Sequence, residues 1–412
     1  MDFISLLAVK APHDLWTIII DWIHGAGINF GWTILLFTLL VKLATSPLDF
    51  MVKYTTKKQT LVQKKCAPQV AKLQKKFGSD QQTLRTQTNA LYKREGLNMG
   101  AGCIVMLVNM ILTCTIFFSL YGTLREVSAY QAIKQYETIE STYTSTLHSS
   151  LINELDNDEI VDEATAITWI QEFEAAQKIV DETDEQDIPT TEGYAEAKAL
   201  YDARIELATK AVTEAKETIV PTWNKVKESW LWVDNIWVAD ATTHPFPTYS
   251  GLKTLADNGG NYYKNYVKKN IDKDTYSTIS SIISKETNRE YNGYYILAVL
   301  AGVVTFASQW IADLHNKLKN KKANLLAESS GDATGKSMKM MKFVMPIVMV
   351  MFVISTGASF GVYLLASNIA SIALGEVITV IINALTKKQR QEVEEVLAKE
   401  ADRLIKKGKL QG

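Results

Sequence analysis

The sequence predicts an all-α polytopic membrane protein: a five-transmembrane-helix core with a cytosolic helical hairpin and an extracellular helical insertion. Three observations predict it. Five apolar stretches reach the roughly 17–25 residues that a hydrocarbon core of about 30 Å requires of a helix, although the chain of 412 residues is only 47% hydrophobic overall. Basic residues collect in some of the intervening segments and acidic ones in a single long segment. That acidic segment carries helical periodicity of its own.

The elements follow in order. Residues 1–29 lack the basic start and cleavage site of a secretory signal. Within them His13–His24 reads as an interfacial amphipathic helix, with Trp16, Ile19, Ile20 and Ile23 as its apolar stripe and Thr17, Asp21 and His24 as its polar one. The spans are 30–50, 100–124, 294–313, 343–358 and 360–380, the last two forming a tight hairpin broken at Ser355–Ser359. Between and after them lie a basic helical hairpin at 51–99, with helices at about 55–77 and 80–95, an acidic helical insertion at 125–293, a basic loop at 314–342 and a tail at 381–412.

Charge sets the orientation. Residues 51–99 hold eleven Lys and Arg against two acids, 314–342 seven against two, and the chain from 386 eight against five. Residues 125–292 hold sixteen against thirty, a net of −14. With five spans the three basic segments share one side, which is the cytosol. The N-terminus and the insertion are then outside and the C-terminus cytosolic.

Within the insertion Tyr194, Ala197, Tyr201, Ile205, Ala208, Val212, Ala215 and Ile219 step by three and four, a seam for a packed helix. An irregular stripe through Ile160, Ala164, Ile167, Ile170 and Phe173 precedes it, with Ile188-Pro189 at the turn. A solvated insertion is preferred to a protein-binding one. Trp223, Trp230, Trp232 and Trp237 read as a headgroup belt rather than a binding platform. The mixed-charge helix of the tail reads as solvated rather than as an RNA contact.

Several chemistries are excluded. A net charge of −1 rules out a wholesale nucleic-acid binder, and three cysteines rule out a disulfide-stapled or Cys-cluster zinc fold. The five histidines, at 13, 24, 148, 244 and 315, sit outside every span and in no metal-ligand spacing. HExxH, GxSxG and paired intramembrane carboxylates are missing. SGDATGKS at 330–337 fails as a phosphate loop, because Ser330 stands where the first glycine belongs and no buried strand precedes it. No enzyme activity, cofactor or metal is expected.

Lys42 is the anomaly. It sits about twelve residues into the first span, where an ammonium costs on the order of 2.5–3.5 kcal/mol even on the lenient insertion scale. Snorkelling is one answer, but six residues, roughly 9 Å, remain to the span's end. A water-filled cavity facing Lys42 is favoured. Asn109, Thr113, Thr115, Thr305, Ser308, Gln309, Ser355, Thr356, Ser367, Asn368 and Ser371 supply polar side chains on the other spans. Each alone is an ordinary helix-packing residue; together with one cation they suggest a hydrophilic groove that attracts an acidic segment.

These residues carry a resemblance. NFGWTILLFTLLVKL with Lys42, the loop TKKQTLVQKKCAPQVAKLQKKFG with Leu91-Tyr92-Lys93, GLNMGAGCIVMLVNMI with Gly102, Cys103 and Asn109, WLWVDNIWVADA, and MKMMKFVMPIVMVMF with Tyr363 and Ser367-Asn368 are similar to segments of the YidC/Oxa-type membrane protein insertases. Met99, Val105, Ile111 and Gly357 stand where that family often has proline, and Leu364 where it often has Trp; 126–230 and 241–290 have no counterpart. The resemblance implies a bacterial plasma-membrane protein that inserts nascent membrane proteins without ATP. It implies a groove formed by Lys42, Asn109, Thr113, Gln309, Ser355, Asn368 and Tyr363. Lys57, Lys58, Lys64, Lys65, Lys72, Lys75 and Lys76 of the hairpin become contacts for the ribosome, a signal recognition receptor, the Sec translocon or the incoming chain, with anionic membrane lipids as the plainer alternative. Met338, Met340, Met341, Met345, Met349 and Met351 suit a pliable sliding surface or ordinary core packing equally. A transporter or channel, or a non-insertase scaffold, is the competing class.

Overall fold

The computed structural model describes residues 9–97, 99–155, 163–183, 193–287, 291–319, 344, 346–354 and 356–406. Among them the chain is helical, without a named strand. It divides into two compact units. One comprises residues 14–124 and 295–412, the other 1–13 and 125–294.

The first unit holds the apolar helices. α1 (Leu15–His24) is capped by Asp14, which accepts from the Thr17 backbone N–H and hydroxyl at 2.7 Å. That bond lets Thr17 be buried with Ile20 and Ile23, while Leu15, Ile18 and Trp22 are exposed. The expected polar stripe is therefore broken at Thr17, and a second apolar strip faces outward. Trp16 Nε1 donates to Ser119 Oγ at 2.8 Å, and Thr123 is bonded to Asp14, so α1 is tied to the span that follows residue 99.

α2 (Phe30–Phe77) is one helix of 48 residues, about 72 Å at 1.5 Å per residue. The span and the first hairpin helix are thus continuous, with no break near 50–55. Pro47 lies inside it and removes a donor to the carbonyl four residues earlier. Ser46 Oγ supplies the missing bond, donating to the Leu43 carbonyl at 2.8 Å. α3 (Gln81–Arg94) starts at Asp80, whose carboxylate accepts from the Gln82 and Thr83 N–H groups, and packs back along α2.

α4 (Met99–Leu155) runs 57 residues, through the boundary between the units. Its apolar part exposes Ile104, Met106, Leu107, Met110 and Ile111. Further along, Phe117 and Tyr121 meet Phe352 and Phe360 edge to face with centroids 5.0–6.2 Å apart. The later helices approach closely through glycine: a Cβ on the glycine at 302 would meet Val350 at 2.6 Å, and one at 361 would meet Val353 at 3.0 Å. α10 (Ile296–Lys319) and α11 (Ala358–Leu385) pack on each other, and α11 packs on α2. Between them residues 346–354 are helical, and the turn before α11 contains Gly357 in an extended conformation that any residue adopts.

Three helices, Phe30–Phe77, Ile104–Asn153 and Ala358–Leu385, are long and apolar enough to cross a membrane; Ile296–Ile311 is a shorter apolar helix. Ser355, most of the loop at 314–342 with its SGDATGKS, and Met338, Met340, Met341 and Met345 lie outside the described residues. α12 (Lys387–Lys406) corrects the expectation of a solvated tail. It packs along α2, burying Val393 where Leu61 and Cys66 are also buried, and Lys72 pairs with Glu400 at 3.5 Å.

The second unit is built around a buried aromatic core. Its core joins the latter half of α4, the end of α6 (Tyr194–Val226) and three short helices, α7 (Tyr249–Gly259), α8 (Asn261–Asn270) and α9 (Lys273–Glu286). Tyr136, Trp223, Phe246 and Tyr276 are its fully covered aromatics. Trp223 and Trp237 are at 0% exposure and Trp230 at 6%, so these tryptophans are core residues and not a belt. α5 (Glu163–Glu182) packs on α6. Ala197, Ala208, Ala215 and Ile219 of the seam are buried, but the partner face is Ala166, Phe173 and Ala176, with Ala164 and Ile167 turned outward. Arg204 stacks on Trp169 at 5.0 Å and reaches Glu172 at 2.8 Å.

The irregular stretch from Trp230 to Pro245 is pinned by buried amides. Asn292 Nδ2 donates to the carbonyls of Asn235, Val238 and Ala239 at 2.9–3.1 Å. Asn235 Nδ2 donates to Gln135 Oε1 at 3.0 Å and to the Pro245 carbonyl at 3.1 Å. Satisfying buried carbonyls in this way is what allows a loop to lie inside a fold.

Candidate functional site

The polar surface that the apolar helices enclose is a cavity of about 500 Å³ between α2, α10 and α11. α2 supplies Lys53, Lys57 and Lys64, at spacings of four and seven that place them on one helix face. Thr56 and Thr60 lie between them. α10 contributes Ser308 and α11 contributes Asn368, Ser371 and Glu376, while Val52, Ile311 and Ile372 give the cavity apolar wall. Lys53 Nζ donates to the Gly375 carbonyl at 3.4 Å, which registers α2 against α11. A Cβ at residue 375 would meet that nitrogen at 2.7 Å, so a side chain there would displace the lysine's flexible end from this bond.

Asn368 is the groove residue that lines this cavity; its Nδ2 donates to Thr305 Oγ1 at 3.0 Å, which passes the bond to the Ala301 carbonyl. The other predicted groove residues are not brought together around it. Lys42 is half-buried on α2, eleven residues and so roughly 16 Å of helix before Lys53. Asn109 is half-buried and Thr113 exposed on α4. Tyr363 is buried against Phe360, with ring centroids 5.7 Å apart. Gln309, beside Ser308, has a buried Oε1 without a hydrogen-bond partner among the described residues. Ser355 lies outside them.

The hairpin lysines divide as well. Lys57 and Lys64 face the cavity, where burial holds the Lys64 ammonium below the ordinary lysine range. Lys65 is raised above it by its hydrogen bond to Glu95 at 2.8 Å. Lys72 pairs with Glu400, Lys76 lies 5.1 Å over the Phe77 ring, and Lys58 and Lys75 are exposed. Lys53 and Glu376, which were not among the expected site residues, also line the cavity. The signal was the stripe Lys53, Lys57 and Lys64, legible on one face once α2 is taken as a single helix.

Among the described residues no group of three His, Cys, Asp or Glu is placed to hold a metal ion. Cys66 is buried and free; Cys114 is free and exposed.

No solved structure matches the chain significantly. Among curated proteins, it is similar to the "Membrane protein insertase YidC" of Wolinella succinogenes, 33% identical over 107 residues, 26% of this chain and 18% of that protein. The protein of the same name from Marinobacter nauticus is 35% identical over 108 residues, 26% and 18%, and that from Granulibacter bethesdensis 36% over 102 residues, 25% and 16%. The matched segment thus spans about a fifth of each relative's length. The family described as "60Kd inner membrane protein" matches far more, residues 22–180 and 218–389, which takes in most of both units. On that match the chain belongs to the 60Kd inner membrane protein family, the YidC/Oxa type.

Proposed function

We propose that this protein inserts nascent membrane proteins into the bacterial plasma membrane without ATP, as a five-span protein with its N-terminus and acidic insertion outside. The observation that carries the reading is a polar, lysine-bearing cavity walled by two helices long and apolar enough to cross a membrane and one shorter apolar helix, in a chain whose relatives are named insertases. The three long spans are completed by α10 and by the segment containing 346–354. An acidic tail approaching from the cytosol meets the cavity lysines first and Lys42 deeper in the span. Each attraction is of order 4 kcal/mol at about 4 Å for an effective dielectric near 20, which offsets part of the cost of moving polar groups into the bilayer. Hydrophobic partitioning and the membrane potential then complete insertion. Asn109, Thr113, Gln309, Ser355, Asn368 and Tyr363 line the groove while a substrate is in transit, and no step uses a cofactor. The hairpin lysines and α12 face the ribosome, a signal recognition receptor or the Sec translocon.

The test is protease protection of a single-span substrate with an acidic N-terminal tail, in proteoliposomes holding wild type, Lys42→Ala or Lys42→Arg. Insertion is expected with wild type and Arg, and at least about tenfold less with Ala, because only about 1.4 kcal/mol of the gross attraction of about 4 kcal/mol has to survive desolvation for a tenfold effect. Ala equal to wild type sinks the charge-attraction step. All three equal to empty liposomes sinks the insertase reading and leaves a scaffold.

A further inference from the structure

The cavity has a property that peptide passage does not require: its cationic wall stands beside exposed apolar surface. The Lys53–Gly375 bond sets the level of α2 against α11. Beyond Gly375 α11 runs ten more residues, with Glu376, Thr379 and Asn383 on the cavity and Val377, Val380, Ile381 and Leu385 exposed. Lys57 and Lys64 therefore run alongside the last turns of an apolar helix. At about 100° per residue, Val380 and the exposed Ile369 fall only about 20–40° around α11 from Glu376, so the apolar face begins where the cavity wall ends. Three primary amines against one carboxylate, Glu376, leave the lining with a net charge of about +2, and Thr56, Thr60 and Ser371 add hydroxyl donors.

We propose that this cleft is a discrete binding site for one anionic phospholipid, its phosphodiester held among Lys53, Lys57 and Lys64 and an acyl chain laid along Ile369 and Val380. The amines recognise phosphate as point charges, and the adjoining apolar strip selects a phosphate that carries a hydrocarbon tail. An acidic peptide has the charge but no use for the strip. The site stands independently of the insertase reading, since lipid occupancy is measured with no substrate present.

Native mass spectrometry of the full chain in detergent tests it, with phosphatidylglycerol, phosphatidylcholine of the same acyl chains, inorganic phosphate and an acidic peptide as probes. Wild type should retain one phosphatidylglycerol at concentrations where phosphatidylcholine is lost. The triple variant Lys53→Gln, Lys57→Gln, Lys64→Gln should weaken retention at least about tenfold, and the equally charged triple Lys58→Gln, Lys75→Gln, Lys76→Gln less than about threefold. Lys57→Gln alone, expected to weaken retention about threefold, decides the matter if the cleft triple fails to fold. Ile369→Asn, on the strip, should weaken phosphatidylglycerol while leaving inorganic phosphate binding unchanged. Equal loss in both triples, equal retention of the two lipids, or displacement of the lipid by inorganic phosphate or the peptide at matched concentration overturns the proposal.

Discussion

The two units bury opposite things. In the unit built from 125–294 the large aromatics Tyr136, Trp223, Trp237, Phe246 and Tyr276 are covered. In the other unit Leu36, Leu39, Leu40, Met106, Met110 and Val380 are exposed, while lysines and hydroxyls line an open cleft between helices. The same side-chain types thus obey two solvents. Water drives the first core together through apolar burial. In a bilayer that force between helices is lost, and close approach at small residues replaces it.

The sharpest way to break this contrast is to truncate one large apolar residue of each kind. Trp223→Ala should cost about 3–5 kcal/mol, read as lost hydrogen-exchange protection in α7–α9 of the full chain in detergent. Met110→Ala, on the outward face, should change protection of α4 by less than about 0.5 kcal/mol. Equal costs would mean that both units are packed by the same force.

Next comes overpacking of the glycine contact. Gly302→Val places a Cβ within 2.6 Å of Val350 and should destabilise the helix packing by about 1–3 kcal/mol, measured by steric trapping in bicelles. Gly27→Ala, a position with φ +78 and open space, separates backbone strain from packing by costing about 1 kcal/mol.

A smaller effect is the pH response of the insertion unit, which has two opposed limbs. Burial holds the His244 imidazole below its ordinary range, between Phe246 and Thr287. The neutral ring suits the fold, so its contribution is present above the unfolded value of about 6.5 and is lost as pH falls through the folded one. Burial raises the carboxyls of Glu137 and Glu140, hydrogen-bonded to Tyr266 and Tyr136. Their protonated forms suit the fold, and that contribution is lost as pH rises through their folded values. Denaturant midpoints followed from pH 4 to 8, about the range these groups titrate, should flatten on the alkaline side in Glu140→Gln and on the acid side in His244→Gln.

The smallest change is expected at the tail. Glu400→Gln removes an exposed pair with Lys72 worth about 0–1 kcal/mol and should leave α12 resistant to limited proteolysis, whereas Val393→Asp should release it. Release by both variants would mean that charge rather than burial docks the tail.

Much of this was legible in the sequence because periodicity reports which face is buried. The seam Ala197, Ala208, Ala215 and Ile219, and the long apolar run of α11, needed nothing more. Trp223 and Trp237 were misread because an aromatic ring serves a headgroup belt and a water-excluded core equally well; only their distance from α7–α9 decides, and that distance is tertiary. α7–α9 are 10–14 residues each, too short to be stable alone. The continuity of α2 past residue 50 was not legible, because Pro47 costs a backbone donor and Ser46 offsets that with a single bond. The cavity depended on which helices meet, so Asn368 was legible as a polar residue in a span while its partnership with Lys53, Lys57 and Lys64 was not.

The continuity of α2 has a mechanical consequence. From residue 50 to Phe77 it extends about 40 Å beyond its apolar run, with α3 and α12 strapped along it. It is a lever whose short arm lies among the spans. A tilt of about 5° moves its far end by only about 3.5 Å, so a force applied near Lys75 is multiplied where the arm bears on Gly375. Any load on the basic hairpin is therefore transmitted toward the aperture between α2 and α11, and the two prolines inside the helix, Pro47 and Pro68, each missing a backbone donor, mark where that lever is softest.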